Sequence, residues 1–181
     1  MMKHAKERIV AALALVLLAS GCSQAKEEKR AFEVPDSLCG TPVPAELLSR
    51  VLPAGGTRVE AEREDKHSAQ YCTVSVDGTS ALHAEWSWWG KGKRTTQVAA
   101  SMRGVKLDEH VSEDGTYTYA DAGGVSRVTC SEPRIPTRKD EMELYAQIFI
   151  SNDARPDEAA MEKLIQAYAK GISASSECVR K

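Results

Sequence analysis

The chain has 181 residues, and its 24 Lys+Arg and 26 Asp+Glu give a formal net charge of −2. This mildly acidic balance gives no support to a general nucleic-acid-binding protein, which would be expected to show a strong basic excess. Roughly 145 residues follow the N-terminal leader and linker described below, a length that suits one domain with a real hydrophobic core.

The first 21 residues divide into the three zones of a secretory signal peptide. Residues 1–8 carry a basic excess, residues 9–19 are an unbroken apolar run, and the small residues Ser20 and Gly21 follow. A basic start, an apolar stretch of about 7–15 residues and a small-residue cleavage site are the parts of such a peptide. The apolar run is well short of the roughly 20 residues that cross a bilayer, so a permanent transmembrane helix is the weaker interpretation. We predict that residues 1–21 are removed on export.

The segment Leu18-Ala-Ser-Gly-Cys22 resembles the bacterial lipobox, although Ala19 stands three residues before the cysteine, where Leu is usual. The resemblance implies that the Cys22 thiol receives a diacylglyceryl group, with acyl chains such as palmitate, and that Cys22 becomes the first mature residue. Two acyl chains are enough for stable attachment to a membrane. We therefore expect a lipid-anchored protein on the extracytoplasmic face of the cell membrane. An ordinary signal peptide followed by a free or paired Cys22 is the open alternative.

A polar stretch without apolar periodicity follows Cys22, and it predicts a flexible tether over residues 22–34. The folded domain is then residues 35–181. It contains four cysteines, Cys39, Cys72, Cys130 and Cys178. An even number in an exported chain predicts two disulfides, for which three connectivities exist. We favour Cys39–Cys72 and Cys130–Cys178, because each pair ties a domain end to a nearby strand; the other pairings, and free thiols, stay open.

The N-terminal half of the domain predicts a short helix followed by a hairpin. Apolar residues at positions 47, 48, 51 and 52, with Pro53 after them, predict a helix that ends before the proline. Residues 57–62 form a weak candidate strand. Residues 70–76 alternate strongly, and Asp77-Gly78 predicts a tight turn to a partner strand over residues 82–88. The alternation places four residues of that strand inward: Leu82, Ala84, Trp86 and Trp88.

The C-terminal half predicts a helix over residues 95–103, a hairpin at Asp114-Gly115, and strands at 117–119, 125–130 and 142–150. A final helix starts at Pro156, with Asp157 and Glu158 in its first turn. The apolar residues of the last strand share one face, as do those of the helix. They are Met142, Leu144, Ala146, Ile148 and Ile150 in the strand, and Met161, Leu164, Ile165, Tyr168 and Ile172 in the helix.

These elements predict one α+β domain, an antiparallel sheet with helices packed on one face. The order of cysteine-bearing strand, turn, alternating strand and helix occurs twice. It appears once around Leu82-His-Ala-Glu-Trp86 and again around Leu144-Tyr-Ala-Gln-Ile148. This order suggests an internal duplication, and chance repetition of a common plan is the open alternative.

The segment Trp86-Ser-Trp-Trp-Gly-Lys-Gly-Lys-Arg94 is the strongest candidate for ligand contact. An aromatic platform stacks on a sugar or base, and basic side chains meet phosphate. Alternation assigns Trp86 and Trp88 to the core, which leaves four residues as speculative ligand contacts: Trp89, Lys91, Lys93 and Arg94. A solvated basic turn is the favoured alternative.

No catalytic residue, metal site or cofactor site is predicted, so we expect no enzyme. His83, Glu85 and Ser87 share the outer face of one strand, whereas a nucleophilic triad needs groups that converge beside an oxyanion hole. The acidic residues Asp108, Glu109, Glu113, Asp114 and Asp121 match no known calcium loop and read as a charged hairpin surface. No nucleophile elbow, zinc motif, P-loop or dinucleotide fingerprint occurs.

The overall layout is a lipobox, a polar tether, an early cysteine before a Pro-containing helix, and a C-terminal helix that ends near the last cysteine. It resembles the small secreted lipoproteins of actinobacteria, many of which belong to families of unknown function. The resemblance implies an envelope location and no defined activity. Our leading hypothesis is a non-enzymatic binding module for an envelope protein or cell-wall component. The alternative is a carrier of a small apolar ligand between sheet and helices, behind Trp86, Trp88 and Ile148.

Overall fold

Two long alternating strands form the centre of the sheet. In the computed structural model, which describes residues 29–102, 110–132, 141–151 and 154–179, β5 (Thr79–Gly90) pairs antiparallel with β9 (Met142–Ile150). One face of β9 is buried over four alternate positions, Leu144, Ala146, Ile148 and Ile150, as the period of two of an extended strand requires. The predicted strand is confirmed, and of its five predicted inward residues four are buried and Met142 is half-buried.

The other strands extend the sheet on both sides of this pair. The order is β3-β4-β5-β9-β8-β7-β6, antiparallel throughout. The flanking strands are β3 (Val59–Lys66), β4 (Ala69–Val76), β6 (His110–Val111), β7 (Tyr117–Ala120) and β8 (Gly123–Val128). A separate hairpin joins β1 (Ser37–Leu38) to β2 (Thr41–Pro42), and the helices are α1 (Ala45–Val51), α2 (Thr95–Ala99) and α3 (Glu158–Ser173). The predicted α+β domain with an antiparallel sheet is confirmed.

Helices α1 and α3 pack on one side of the sheet, which we name the core face. Helix α3 buries the five predicted residues there, Met161, Leu164, Ile165, Tyr168 and Ile172. Asp157 is the N-cap of α3 and lies just before its first turn, because its side chain accepts a hydrogen bond from the Ala160 N–H at 3.0 Å. The five-residue α2 packs on the opposite side, the outer face, where Val98 lies beside Val125 and Tyr145.

Gly124 shows how closely α3 approaches the sheet. A Cβ atom at this position of β8 would lie 3.0 Å from the Cβ of Ile165. Protein interiors are close-packed, so Ile165 would have to shift by a few tenths of an ångström for a side chain to fit there. The glycine therefore lets α3 pack this close to the sheet.

Both favoured disulfides are present. Cys39 bonds to Cys72 in β4, which fastens the N-terminal hairpin to the sheet. Cys130 follows β8 and bonds to Cys178, which follows α3. The predicted connectivity is confirmed, and each bridge joins a domain end to the region of a strand.

The β4–β5 hairpin turns at Asp77 and Gly78, as predicted, with φ angles of 49° and 81°. Asp and Gly are residues that tolerate the left-handed conformation required by such a turn. The Asp77 carboxylate also accepts hydrogen bonds from the Thr57 hydroxyl and N–H and from the Arg58 N–H. These bonds hold the pKa of Asp77 below its ordinary value, and the bond from the Thr57 hydroxyl has the largest effect.

The packed domain begins earlier than the predicted boundary at residue 35. The Arg30 guanidinium donates to the carbonyl oxygens of Ser49, Leu52 and Pro53 at 2.7–3.1 Å, and Phe32 packs against the core. These carbonyls lie at the C-terminal end of α1, where backbone acceptors lack helical partners and a cation is favoured. Residues 29–34 thus belong to the domain, while Cys22 and the leader lie outside the described residues.

The two halves compared in the sequence occupy equivalent places among the strands. β5 and β9 are neighbours, with β4 and β8 outside them, and the central register pairs Glu85 with Gln147. These two residues are equivalent in the compared segments. A twofold rotation that exchanges two neighbouring antiparallel strands leaves each face of the sheet on its own side. If the repeat included the helices, the helix after β5 and the helix after β9 would therefore lie on the same face. Because α2 and α3 lie on opposite faces, the repeat extends to the strands and not to the helices.

Candidate functional site

The predicted contact residues of the basic loop do not form one surface with a free aromatic platform. Trp89 is half-buried against the cluster around α2, and its Nε1–H donates to Ser87 Oγ at 2.8 Å. Lys91, Lys93 and Arg94 are exposed. An acidic side chain lies against the same loop, because the Gly92 N–H donates to Glu143 Oε2 at 3.1 Å. Glycan or polyanion binding by this loop stays a prediction.

His83 lies on the outer face within hydrogen-bond distance of two hydroxyls. Ser80 Oγ is 2.7 Å from its Nε2 and Thr73 Oγ1 is 3.2 Å from its Nδ1. Simple alternation would place Ser80 on the face opposite His83. A register shift between Val74 and Ser75 gives β5 one extra residue, which brings Ser80 to the outer face. The bulge is why this neighbour was missed.

The arrangement around His83 lacks the parts of a nucleophilic site. A hydroxyl, and no carboxylate, lies at Nδ1, and the ring stacks on Phe149 with centroids 4.7 Å apart. Burial lowers the pKa of His83, because it disfavours the charged form of the ring. All four side chains lie on one sheet face, and no convergent oxyanion donors accompany them among the described contacts. The cluster orders the sheet surface.

A polar network continues along the same face. Ser87 and Gln147 are buried, and Gln147 Nε2 donates to Ser87 Oγ at 3.1 Å. Burial raises the pKa of the neighbouring Glu85, opposed by its hydrogen bonds with Ser87 and Gln147. The predicted trio of His83, Glu85 and Ser87 is thus on one face as expected, with Ser87 inside the network and not in solvent.

The acidic hairpin uses its carboxylate for its own turn. Asp114 accepts hydrogen bonds from the hydroxyl and N–H of Thr116 and from the Ser112 hydroxyl. These bonds lower the pKa of Asp114 to about 2, and the bond from the Thr116 hydroxyl has the largest effect. Asp108 and Glu109 lie outside the described residues. Within the described ranges, no group of three His, Cys, Asp or Glu side chains could hold a metal ion.

A groove of about 690 Å³ lies between the segment around β2 and the last turns of α3, and we name it the β2–α3 groove. Its volume falls within the roughly 300–1,000 Å³ of small-molecule sites. One wall is the segment Gly40–Pro44 and the other is one side of α3 and the residues that follow it. The lining residues are Gly40, Thr41, Pro42, Val43, Pro44, Ala167, Lys170, Gly171, Ala174 and Ser175.

Close contact between backbone and helix forms the floor of this groove. A Cβ atom at Gly171 would lie 2.8 Å from the carbonyl oxygen of Pro42 and from the Thr41 Cγ2. Only glycine lets the two walls meet so closely. The sequence signals were two prolines around Val43 and small residues at helical spacing in α3. The groove was missed because its two walls come from opposite ends of the domain.

A second, smaller cavity of about 470 Å³ is lined by Pro53–Gly56, the Asp77 turn and Arg155. Neither cavity is lined by Trp86, Trp88 or Ile148, behind which a ligand site was predicted. Among the described side chains, the hydroxyl of Tyr168 is the one buried polar atom without a hydrogen-bond partner.

Comparison with known proteins gives no relative: no family model, curated protein or solved structure matches this chain. Among the described helices, none is long and apolar enough to cross a membrane.

Proposed function

We propose that this chain is a non-enzymatic binding module of the cell envelope, anchored by lipid at Cys22, with the β2–α3 groove as its ligand site. The observation that carries the proposal is the groove itself. It has ligand-sized volume, mainly apolar walls and a floor formed by the contact of Gly171 with β2. The lipobox-like segment before Cys22 supports the location on the extracytoplasmic face of the membrane.

A binding role accounts for the groove better than a hydrolytic one. The groove holds no histidine or carboxylate among its lining residues, and general acid–base chemistry needs such a group within hydrogen-bond reach of the substrate. The only Ser–His contact of the described residues, between Ser80 and His83, lies on the outer sheet face. The groove is on the α3 side, so the two features cannot form one site.

Two kinds of occupant fit the proposal, an apolar segment of an envelope protein or cell-wall component and a small apolar ligand. The groove favours the small ligand because its volume matches that class and its lining is dominated by small side chains and prolines. Large aromatic and arginine side chains, which commonly anchor protein interfaces, do not line it. The carrier hypothesis therefore moves from the interior behind Trp86 to the β2–α3 groove.

Crosslinking on intact cells tests the proposal. A photo-crosslinking residue replaces Ala174 in the groove, and the matched control places it at Ala159, which is exposed on α3 outside the groove. We expect an adduct from position 174 and none from 159, identified by mass spectrometry. We also expect Cys22→Ala to release the protein from the membrane. Retention of the Cys22→Ala chain in membranes would refute the anchor, and equal labelling at both positions would refute the groove.

A further inference from the structure

The β2–α3 groove contains a single charged side chain. Lys170 lies on its rim, exposed, and no Asp or Glu lines the groove. Within the described part of the chain, no carboxylate lies within ion-pair distance of the Lys170 ammonium group. The groove thus combines apolar walls with one cation that no described carboxylate neutralises, a pattern complementary to a ligand with an apolar body and an anionic head.

The lining restricts the shape of that apolar body. Ala167, Gly171 and Ala174 follow one another along α3 at helical spacing, and Pro42 and Pro44 face them from the other wall. Such small residues along one side of a helix give a shallow, elongated surface. A linear chain matches this surface, whereas a wide ring system would need a deeper pocket.

The groove also lies close to the point where the chain leaves the domain toward the lipid. Arg30 is fixed at the C-terminal end of α1, and Pro44 of the groove wall precedes the first residue of the same helix. The seven residues of α1 span about 10 Å. The seven peptide steps from Cys22 to Lys29 cannot span more than about 25 Å. With a lipid at Cys22, the groove lies within reach of the membrane surface.

We infer that the β2–α3 groove binds a single-chain anionic amphiphile taken from the membrane, with its acyl chain between β2 and α3 and its head group beside Lys170. The inference rests on the proposed function, because it names the ligand class of the same groove. Lys170 selects the head group by charge, and the apolar walls bind the chain.

Titration calorimetry with three probes of one chain length tests the inference. The protein is the mature chain from residue 22 with Cys22→Ala, so that no attached lipid competes. The probes are dodecanoate and dodecyltrimethylammonium, each below its micellar concentration, and dodecanol below its solubility limit. We expect dodecanoate to bind about fivefold more tightly than dodecanol, the factor of an exposed ion pair worth about 1 kcal/mol. The cationic probe should bind most weakly.

Matched variants locate the site. Lys170→Met should lower dodecanoate affinity about fivefold to that of dodecanol, whereas Lys163→Met, exposed elsewhere on α3, should change neither. Ala167→Trp fills the groove and should abolish binding of both probes, with Ala159→Trp as the control for a tryptophan on the same helix. Thermal melting of each variant checks that it is folded.

The outcomes separate this inference from the proposed function. Equal affinities for dodecanoate and dodecanol, unchanged by Lys170→Met, would overturn the anionic head group and leave an apolar groove. Binding that survives Ala167→Trp would overturn the groove as the binding site, and no binding of any probe would overturn the ligand class. In both cases the anchored module is still judged by crosslinking in cells. A protein adduct from position 174 would replace the amphiphile with a protein partner.

Discussion

Removing either disulfide should destabilise the domain by nearly the same amount. The bridge Cys39–Cys72 closes a separation of 33 residues, and Cys130–Cys178 closes 48. In the chain-entropy account, a loop of n residues removes about 2.1 + 1.5R ln n cal/mol/K from the unfolded chain. At 25 °C this corresponds to about 3.7 kcal/mol for the first bridge and about 4.1 kcal/mol for the second.

The two bridges are buried to a similar extent, so the stability losses of the two variants can be compared directly. Each pairs one fully buried cysteine, Cys72 or Cys178, with one half-buried cysteine, Cys39 or Cys130. Replacing both members of a pair by alanine therefore leaves a similar small cavity in each variant. The difference between the variants should then reflect loop length alone, which amounts to only about 0.3 kcal/mol.

Urea denaturation followed by circular dichroism measures both effects. The Cys39→Ala/Cys72→Ala and Cys130→Ala/Cys178→Ala variants are compared with the parent, each with and without dithiothreitol. We expect each variant to lose about 4 kcal/mol of unfolding free energy, and its melting temperature to fall by about 10–15 °C. A loss below about 1 kcal/mol in either variant, or a difference above about 2 kcal/mol between them, would refute the loop-length reasoning.

Three further substitutions test single contacts by urea denaturation. Asp77→Asn should lower stability at pH 7, because hydrogen bonds from Thr57 and from the Arg58 N–H depress the folded-state pKa of Asp77. That stabilisation is present above the unfolded pKa and is lost as the pH falls through the folded pKa, so the difference between parent and variant should shrink steadily on acidification. Gly124→Ala should cost about 1–3 kcal/mol. The cost should be smaller in an Ile165→Ala background, because the second substitution removes the two Cγ atoms that would lie 3.1–3.2 Å from the new Cβ; additive costs would contradict the contact. Asp157→Ala should cost about 1 kcal/mol through the lost N-cap of α3, whereas Asp157→Asn should cost less; equal losses would exclude the cap as the cause.

The parts of the fold that the sequence predicted are those set by local pattern. The alternation of residue types over 142–150 and 70–76 predicted which residues of each strand face the core. The structure places those residues on the predicted face. Apolar spacing and flanking prolines likewise located α1 and α3. The weaker patterns gave poorer bounds, since β3 runs to Lys66, beyond the predicted residue 62, and α2 ends at Ala99.

What the sequence could not predict depends on residues brought together from far apart. Arg30 lies in a polar run that resembles a tether, and only the end of α1, some twenty residues later, supplies its acceptors. Ser80 reaches His83 through a bulge whose extra residue has no sequence signal of its own. The β2–α3 groove joins residues 40–44 to residues 167–175, and no local period connects them.

The position of the disulfides connects stability with the groove. One wall begins at Gly40, directly after Cys39, and the other ends at Ser175, three residues before Cys178. Each bridge therefore holds one wall of the β2–α3 groove to the sheet region, Cys39 through β4 and Cys178 through the chain after β8. Above its floor the groove is unfilled space, so close packing does not hold its walls apart there. The covalent links at the ends of the two walls restrict their movement, and disulfides form and persist in oxidising compartments. The same chemistry that fixes the groove thus supports the export proposed from residues 1–22.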